Sequence, residues 1–146
     1  MNISQEILRH HHGETTDRVT LTYEDRFLRR SKLTTETGES FVVDLEQTTS
    51  LNHGDALRLD DARCIAIVAA AEPLTEVKGA HLLRLAWHIG NRHMPCQIEA
   101  DRLLIQRDHV IRDMLEKLGA ELTDVVEPFT PEGGAYGHGR THSHAH

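Results

Sequence analysis

The sequence has 146 residues, with 38% hydrophobic and only 4% aromatic content, which suits one ordinary domain or two small ones with aliphatic cores. Its net charge of −7 is a poor match for a nucleic-acid backbone or an anionic membrane surface. No apolar run approaches the length of a membrane span, and the N-terminal residues are too polar for a signal peptide. Two cysteines outside any CxxC spacing fit a reducing compartment, so we expect a cytoplasmic protein without nucleic-acid or membrane partners.

The first half of the chain predicts short strands separated by turns. Alternating apolar residues, many of them β-branched, indicate strands at 19–23, 40–45, 56–60 and 63–68. Strands at this spacing without intervening helices predict a small antiparallel β-domain over residues 1–72.

The pattern changes near Pro73, where helical periodicity begins to alternate with strands. Asp108 is a suitable N-cap for the second predicted helix, and Gly119 stands where a C-cap glycine belongs. The order β-α-β-β-α-β is the ferredoxin-like arrangement, here expected over residues 73–129, so the predicted fold class is α+β. Its elements are a strand at 74–77, a helix at 79–91, strands at 96–99 and 102–106, a helix from 108 to 118 and a strand at 122–126.

Residues 130–146 have almost no apolar content and predict a flexible, histidine-containing tail. The chain has 12 histidines, far above ordinary usage, and four of them lie here: His138, His142, His144 and His146. Neutral imidazole is a favoured ligand of nickel, copper and zinc, so a flexible segment could wrap several rings around one ion. The alternatives are a solvated tail or an expression tag, although the interrupted spacing and the native-looking sequence before it weigh against a tag.

The other histidines are weaker candidates. His93 stands where the first helix ends; it could be a capping or surface residue, or a ligand if a two-fold axis brought its copy close. His88 lies five residues earlier, which on a helix turns its side chain away from that of His93. His109 lies in the first turn of the second helix and is expected to be partly exposed. His10, His11 and His12, and likewise His53 and His81, lack a rigid set of partner ligands.

An enzyme is not expected. The sequence has no HExxH motif, P-loop or GxSxG elbow. Cys64 and Cys96 both fall in apolar strand patterns typical of inert cysteines. The acidic residues are scattered without a readable acid/base pair.

Four segments resemble the urease accessory nickel metallochaperones, the UreE family. The central signature runs from Ala86 to His93 (AWHIGNRH) and is followed by Gln97-Ile98-Glu99. The segment that begins Asp108-His109-Val110-Ile111 and the run from Pro128 to Gly139 (PFTPEGGAYGHG) continue the resemblance, which covers the chain from about Leu82 onward. The first half is similar to the family only in its strand-rich character.

The resemblance implies a peptide-binding-like N-terminal domain and a ferredoxin-like C-terminal domain that dimerises and binds metal. The family's interface histidine is the last residue of Gly-Asn-Arg-His, which corresponds to His93. Its histidine-bearing tail corresponds to residues 138–146. Some members carry a further histidine where this chain has Arg107, so a second helix-based site is not implied here.

These features together predict a homodimer, extending to a dimer of dimers with metal, in which two copies of His93 meet at the dyad. Two of His142, His144 and His146 are expected to complete the shell around Ni²⁺, with His138 a further candidate, and Zn²⁺ or Cu²⁺ should bind the same site. The implied function is nickel delivery to an apo-urease assembly complex that includes an accessory GTPase. The alternatives are a non-specific metal buffer and a protein-folding chaperone acting through the N-terminal β-domain.

Overall fold

The computed structural model of the protein describes residues 1–133 and divides them into two compact units, Met1–Ala70 and Ala71–Gly133. The described part has ten strands and two helices, so the fold is mixed α+β and consists mostly of sheet. The predicted α+β class and the presence of two domains are therefore confirmed. Neither helix in this part of the chain has the length and apolar character to span a bilayer.

The N-terminal unit is one six-stranded sheet in the order β2-β6-β5-β1-β4-β3. The alternation of apolar residues along these strands directs one row of side chains inward, where Phe41, Val43, Leu57 and Ile65 are fully buried. The strands are β1 (Asn2–Leu8), β2 (Asp17–Leu21), β3 (Phe27–Thr34), β4 (Ser40–Ser50), β5 (Ala56–Leu59) and β6 (Cys64–Ala69).

The prediction that this domain is antiparallel was wrong, because the sheet is mixed. Strand β1 pairs in parallel with β4, and β2 pairs in parallel with β6. Strands β1 and β3 were also missed; in β3 only Leu28 and Leu33 are buried, and basic residues between them hide the alternation. Local patterning identifies a strand but not its partner, so pairings between distant segments could not be read from it.

The C-terminal unit contains β7 (Ala71–Lys78), α1 (Leu82–Asn91), β8 (Cys96–Ile98), β9 (Leu103–Gln106), α2 (His109–Lys117) and β10 (Glu121–Pro128). This is the order of elements predicted for this half, with longer outer strands. The four strands form an antiparallel sheet in the order β10-β7-β9-β8, so β10 and β8 lie at opposite edges.

Both helices pack on one face of this second sheet. Each helix buries two residues against a row of strand residues. These are Leu85 and Ile89 in α1, and Ile111 and Leu115 in α2. The strand residues in this core are Val77, Leu103 and Ile105, with Cys96 and Leu122 partly buried beside them. Side chains alternate along a strand, so Leu74, Gln97 and Leu104 face the opposite side of the sheet.

Candidate metal centre

The two helices of the C-terminal unit end in the same hydrogen-bonded motif. At the end of α2, Gly119 N–H donates to the Glu116 carbonyl and Ala120 N–H to the Leu115 carbonyl, both at 3.0 Å. This 5→2 and 6→1 pattern is a Schellman motif, which requires a left-handed residue at its turn. Gly119 supplies it with φ = +85° at no steric cost, and Asp108 caps the other end of the helix through Val110 N and Ile111 N. Both of these predicted roles are confirmed.

At the end of α1 the same motif places His93 in the position that favours glycine. His93 N–H donates to the Gly90 carbonyl at 2.9 Å, and Met94 N–H donates to the Ile89 carbonyl at 3.3 Å. His93 has φ = +60°, which costs an L-residue with a Cβ about 1–2 kcal/mol relative to the right-handed region. Met94 packs into the same core as Ile89, so this apolar contact holds the turn in place. The fold therefore fixes His93 at an exposed corner in a strained conformation.

An apolar stripe leads along α1 to this corner. Leu83 is 90% exposed and Trp87 is 63% exposed, although both are large hydrophobic residues. They lie four residues apart, and Gly90 follows three residues later, so all three share one side of the helix. The position of Gly90 opens onto empty space. This outward-facing stripe was not predicted from the sequence.

Two further histidines of the described part have contacts of their own. His88 is partly buried and makes an edge-to-face ring contact with Trp87, with ring centroids 5.0 Å apart. His53 Nδ1 accepts a hydrogen bond from Ala69 N–H in the N-terminal unit. Within residues 1–133, no group of three or more His, Cys, Asp or Glu side chains is arranged to hold a metal ion.

The charged side chains around His109 make contacts that hold the fold together. Arg107 donates to the carbonyls of Leu74 and Val125, so it ties the start of α2 to β7 and β10. Together with Arg112 it lines an open groove in which His109 also lies. The Asp124 carboxylate in this groove is paired with Arg112 at 3.0 Å and with Arg107 at 3.8 Å, so it is already engaged in ion pairs.

Cys96 lies three residues after His93 but is not prepared to act as a thiolate ligand. Burial raises the pKa of its thiol to about 11, and the nearby Glu132 carboxylate contributes in the same direction. A metal ligand must be the deprotonated sulfur, so the fold disfavours Cys96 as a ligand at neutral pH.

The four tail histidines, His138, His142, His144 and His146, lie outside the described residues. The last described residues nevertheless show where the tail begins. Glu132 N–H donates to the Cys96 carbonyl at 2.9 Å, and Thr130 N–H donates to the Gln97 side-chain oxygen at 2.9 Å. The tail thus departs from the β8 edge, in the part of the sheet that follows His93.

The fold holds His93 rigidly at an exposed helix end. Comparison with known proteins identifies the class of protein to which this feature belongs. A family model for the N-terminal domain of the UreE urease accessory protein matches residues 3–70, and the model for its C-terminal domain matches residues 72–146. The chain belongs to the UreE family of urease accessory proteins, which are accessory proteins and not enzymes, and this membership implies a role in urease maturation.

Individual relatives support the same assignment over nearly the whole chain. A urease accessory protein UreE of Ruegeria pomeroyi is 68% identical over 136 residues, covering 93% of this chain and 91% of the relative. The UreE of Ruegeria sp. strain TM1040 is 62% identical, and the match covers 97% of this chain and 84% of the relative. The UreE of Paracoccus denitrificans is 54% identical, and the match covers 94% of this chain and 88% of the relative. The resemblance inferred from the sequence motifs is therefore confirmed, and it extends into the N-terminal half.

Proposed function

We propose that this protein is a nickel-binding metallochaperone that delivers Ni²⁺ to an apo-urease assembly complex for metallocentre maturation. The observation that carries the proposal is the left-handed conformation of His93. The equivalent turn of α2 uses glycine, so a histidine at this position lowers the stability of the fold. A residue that costs stability in this way indicates that its imidazole has a function. Family membership supports the connection to urease.

The metal site is proposed to form between two copies of the chain. The exposed stripe of Leu83, Trp87 and Gly90 supports a homodimer through the C-terminal unit, because covering it with a second copy would remove large apolar side chains from water. An isologous contact along α1 would bring both His93 corners to the dyad. Metal could then join such dimers into a dimer of dimers.

The ligand shell would combine the rigid His93 pair with imidazoles of the tail, two of His142, His144 and His146, with His138 as a further candidate. Borderline nitrogen ligands suit Ni²⁺ and would also accept Zn²⁺ or Cu²⁺. The rigid pair provides recognition, and the tail can release its bonds one at a time to an acceptor. Imidazole must be neutral to bind, so affinity should fall as pH decreases through about 6.5, the reference pKa of histidine.

The remaining assignments follow the same proposal. Residues 73–129 would be a ferredoxin-like metal-binding and dimerisation domain, a description that the strand order supports, and residues 1–72 a β-rich, peptide-binding-like domain. The partners would be the apo-urease complex and its accessory GTPase in the cytoplasm, with no nucleic acid or membrane involved. The competing functions are a non-specific metal buffer and a folding chaperone acting through the N-terminal unit.

The decisive experiment is Ni²⁺ calorimetry on the wild type, on His93→Gly and on a chain truncated after Gly137, with the mass of each measured by light scattering. Glycine is favoured at the His93 turn, so a loss of binding in this variant cannot be attributed to unfolding. We expect about one ion per dimer in the tightest site and loss of that site in His93→Gly. If only the truncation weakens binding, the tail acts alone and the metal-buffer function replaces the proposal. If neither change matters, the histidine shell is wrong.

A further inference from the structure

The segment that follows β10 passes from one edge strand of the C-terminal sheet to the other. We call residues 129–133 the strap. It leaves β10 at Pro128, yet Thr130 and Glu132 hydrogen-bond to Gln97 and Cys96 of β8, the strand at the opposite edge. Only three residues separate Pro128 from Glu132, so the strap joins the two edges with little length to spare.

The strap crosses the face that the helices leave uncovered. Gln97 alternates with Cys96, which belongs to the helix-side core, so its side chain lies on the opposite face. Phe129, the first residue of the strap, is fully buried, as are Leu74 and Leu104 on this face. A fully buried aromatic residue fixes the beginning of the crossing, and the two backbone donors fix its end.

A chain of polar side chains also crosses this face and holds Gln97. Arg102 donates to Glu127 of β10 at 2.7 and 2.8 Å and to Glu76 of β7 at 3.0 Å. The same guanidinium donates to Glu99 at 3.0 Å, and Glu99 accepts from the Gln97 amide nitrogen at 2.8 Å. The Gln97 amide oxygen is thereby left pointing at Thr130, from which it accepts two hydrogen bonds.

We infer that Gln97 and the strap's backbone amides are positioning groups, which anchor the origin of the histidine tail beside His93. This inference rests on the proposed function. The carbonyl that accepts from Glu132 N–H belongs to Cys96. Cys96 is three residues from His93, so the two are at most about 11 Å apart along the chain. From Glu132, even the nearest tail histidine, His138, has a reach of up to about 20 Å, so every tail imidazole can meet the corner.

Anchoring raises the effective concentration of tail imidazoles at His93. A tail tethered at Pro128 would start at the far edge of the sheet and have four more mobile residues. Effective concentration falls roughly as the −3/2 power of tether length once the tether can reach, and the displaced origin reduces it further. Lengthening the tether by four residues should therefore weaken the tail-dependent part of Ni²⁺ affinity by about two-fold, and the displaced origin should add to this loss.

The test compares Glu132→Pro, which removes the N–H donated to Cys96, with Glu132→Ala, which keeps it. Glu132 is exposed, so neither change opens a cavity. Gln97→Leu removes the other anchor independently. Each variant is made in the full chain and in the chain truncated after Gly137, and Ni²⁺ affinity is measured by competition with a chelator. Hydrogen exchange at Thr130 reports whether the strap is released.

We expect Glu132→Pro and Gln97→Leu to weaken Ni²⁺ binding in the full chain only, and Glu132→Ala to resemble the wild type. Equal losses in the full and truncated chains would mean that the variants act through the fold, and would overturn the inference. Wild-type affinity despite faster exchange at Thr130 would overturn it as well, while the His93 site stood. If truncation itself left affinity unchanged, the proposed shell and the positioning role would fall together.

Discussion

The N–H of His93 donates to the carbonyl of Gly90 with the same geometry by which Gly119 closes the other helix, but His93 carries a side chain into a left-handed turn. Replacing it with glycine should therefore stabilise the metal-free protein by about 1 kcal/mol while removing a ligand. Urea denaturation of the apo-protein measures the first effect. The reciprocal control is Gly119→His, which should destabilise by about 1–2 kcal/mol. If His93→Gly lowered stability, the turn would not be strained in the way described.

The exposed stripe on α1 predicts the oligomeric state. Leu83→Glu places a charge in the apolar stripe of the proposed dimer contact, and burying an unpaired carboxylate there is strongly unfavourable. Light scattering should show a shift from dimer to monomer at micromolar concentration. The monomer should keep the wild-type circular dichroism spectrum, because Leu83 is 90% exposed within one chain.

A suitable control is Arg84→Glu, which introduces the same carboxylate one position away from the stripe. Arg84 is exposed as well, but its side chain projects to another side of the helix. If both variants remained dimeric, the contact would lie elsewhere and the α1 stripe would not be the interface.

The sequence was most informative where local chemistry decides structure. The Asp108 cap, the Gly119 turn and the order of elements in the C-terminal unit could all be read from nearest neighbours along the chain. His93 could be recognised as a helix-end residue, but its left-handed conformation could not, because the motif normally signals itself by glycine.

Features that depend on distant contacts were not predictable in this way. The parallel pairing of β1 with β4 and the contact of Glu132 with Cys96 join residues far apart in sequence. The segment Gln97-Ile98-Glu99 could be predicted as part of a strand and as part of a family motif. Its contact with the segment after β10 could not, because β8 and β10 lie at opposite edges of the sheet.

The cluster around Arg102 predicts a stability that depends on pH. Arg102 donates hydrogen bonds to Glu127 and lowers the pKa of that carboxyl below its ordinary value. A lowered folded-state pKa contributes stability that is present above the unfolded-state pKa and is lost as pH falls through the folded-state value. Arg102→Gln should therefore destabilise the protein at pH 7 and show a smaller loss of stability than the wild type between pH 5 and pH 3.

The measurement is thermal unfolding across that pH range, with Arg112→Gln as the control. Arg112 pairs with Asp124 and Glu116, which are more exposed, so its removal should lower the stability of the protein by a smaller amount. We expect Arg102→Gln to cost about 2 kcal/mol at pH 7, because it leaves three carboxylates without their shared donor. Parallel pH profiles for wild type and variant would contradict this account.

The thiol of Cys96 should be slow to react. Its pKa is raised to about 11, so only about one molecule in a thousand carries the thiolate at pH 8. Alkylation of the Cys64→Ser variant, in which Cys96 is the remaining thiol, should be slow at pH 8 and should accelerate steadily up to pH 11. Rapid labelling at pH 8 would show that the thiol is not buried as described. The Cys96→Ser variant should retain Ni²⁺ affinity, because the sulfur is not expected to be a ligand.

The central place of β1 in the N-terminal sheet constrains how the protein can be made. This strand lies between β5 and β4, and its partners extend as far along the chain as Leu59. During synthesis β1 can pair with β4 once that strand has emerged, but its other edge must remain unpaired until β5, near the end of the unit, follows. In the C-terminal unit, β8 and β9 are joined by a short turn and can pair at once. The two units should therefore fold in different ways. The N-terminal unit is synthesised first but depends on pairing between distant strands, which forms late, whereas the C-terminal unit can begin with a local hairpin.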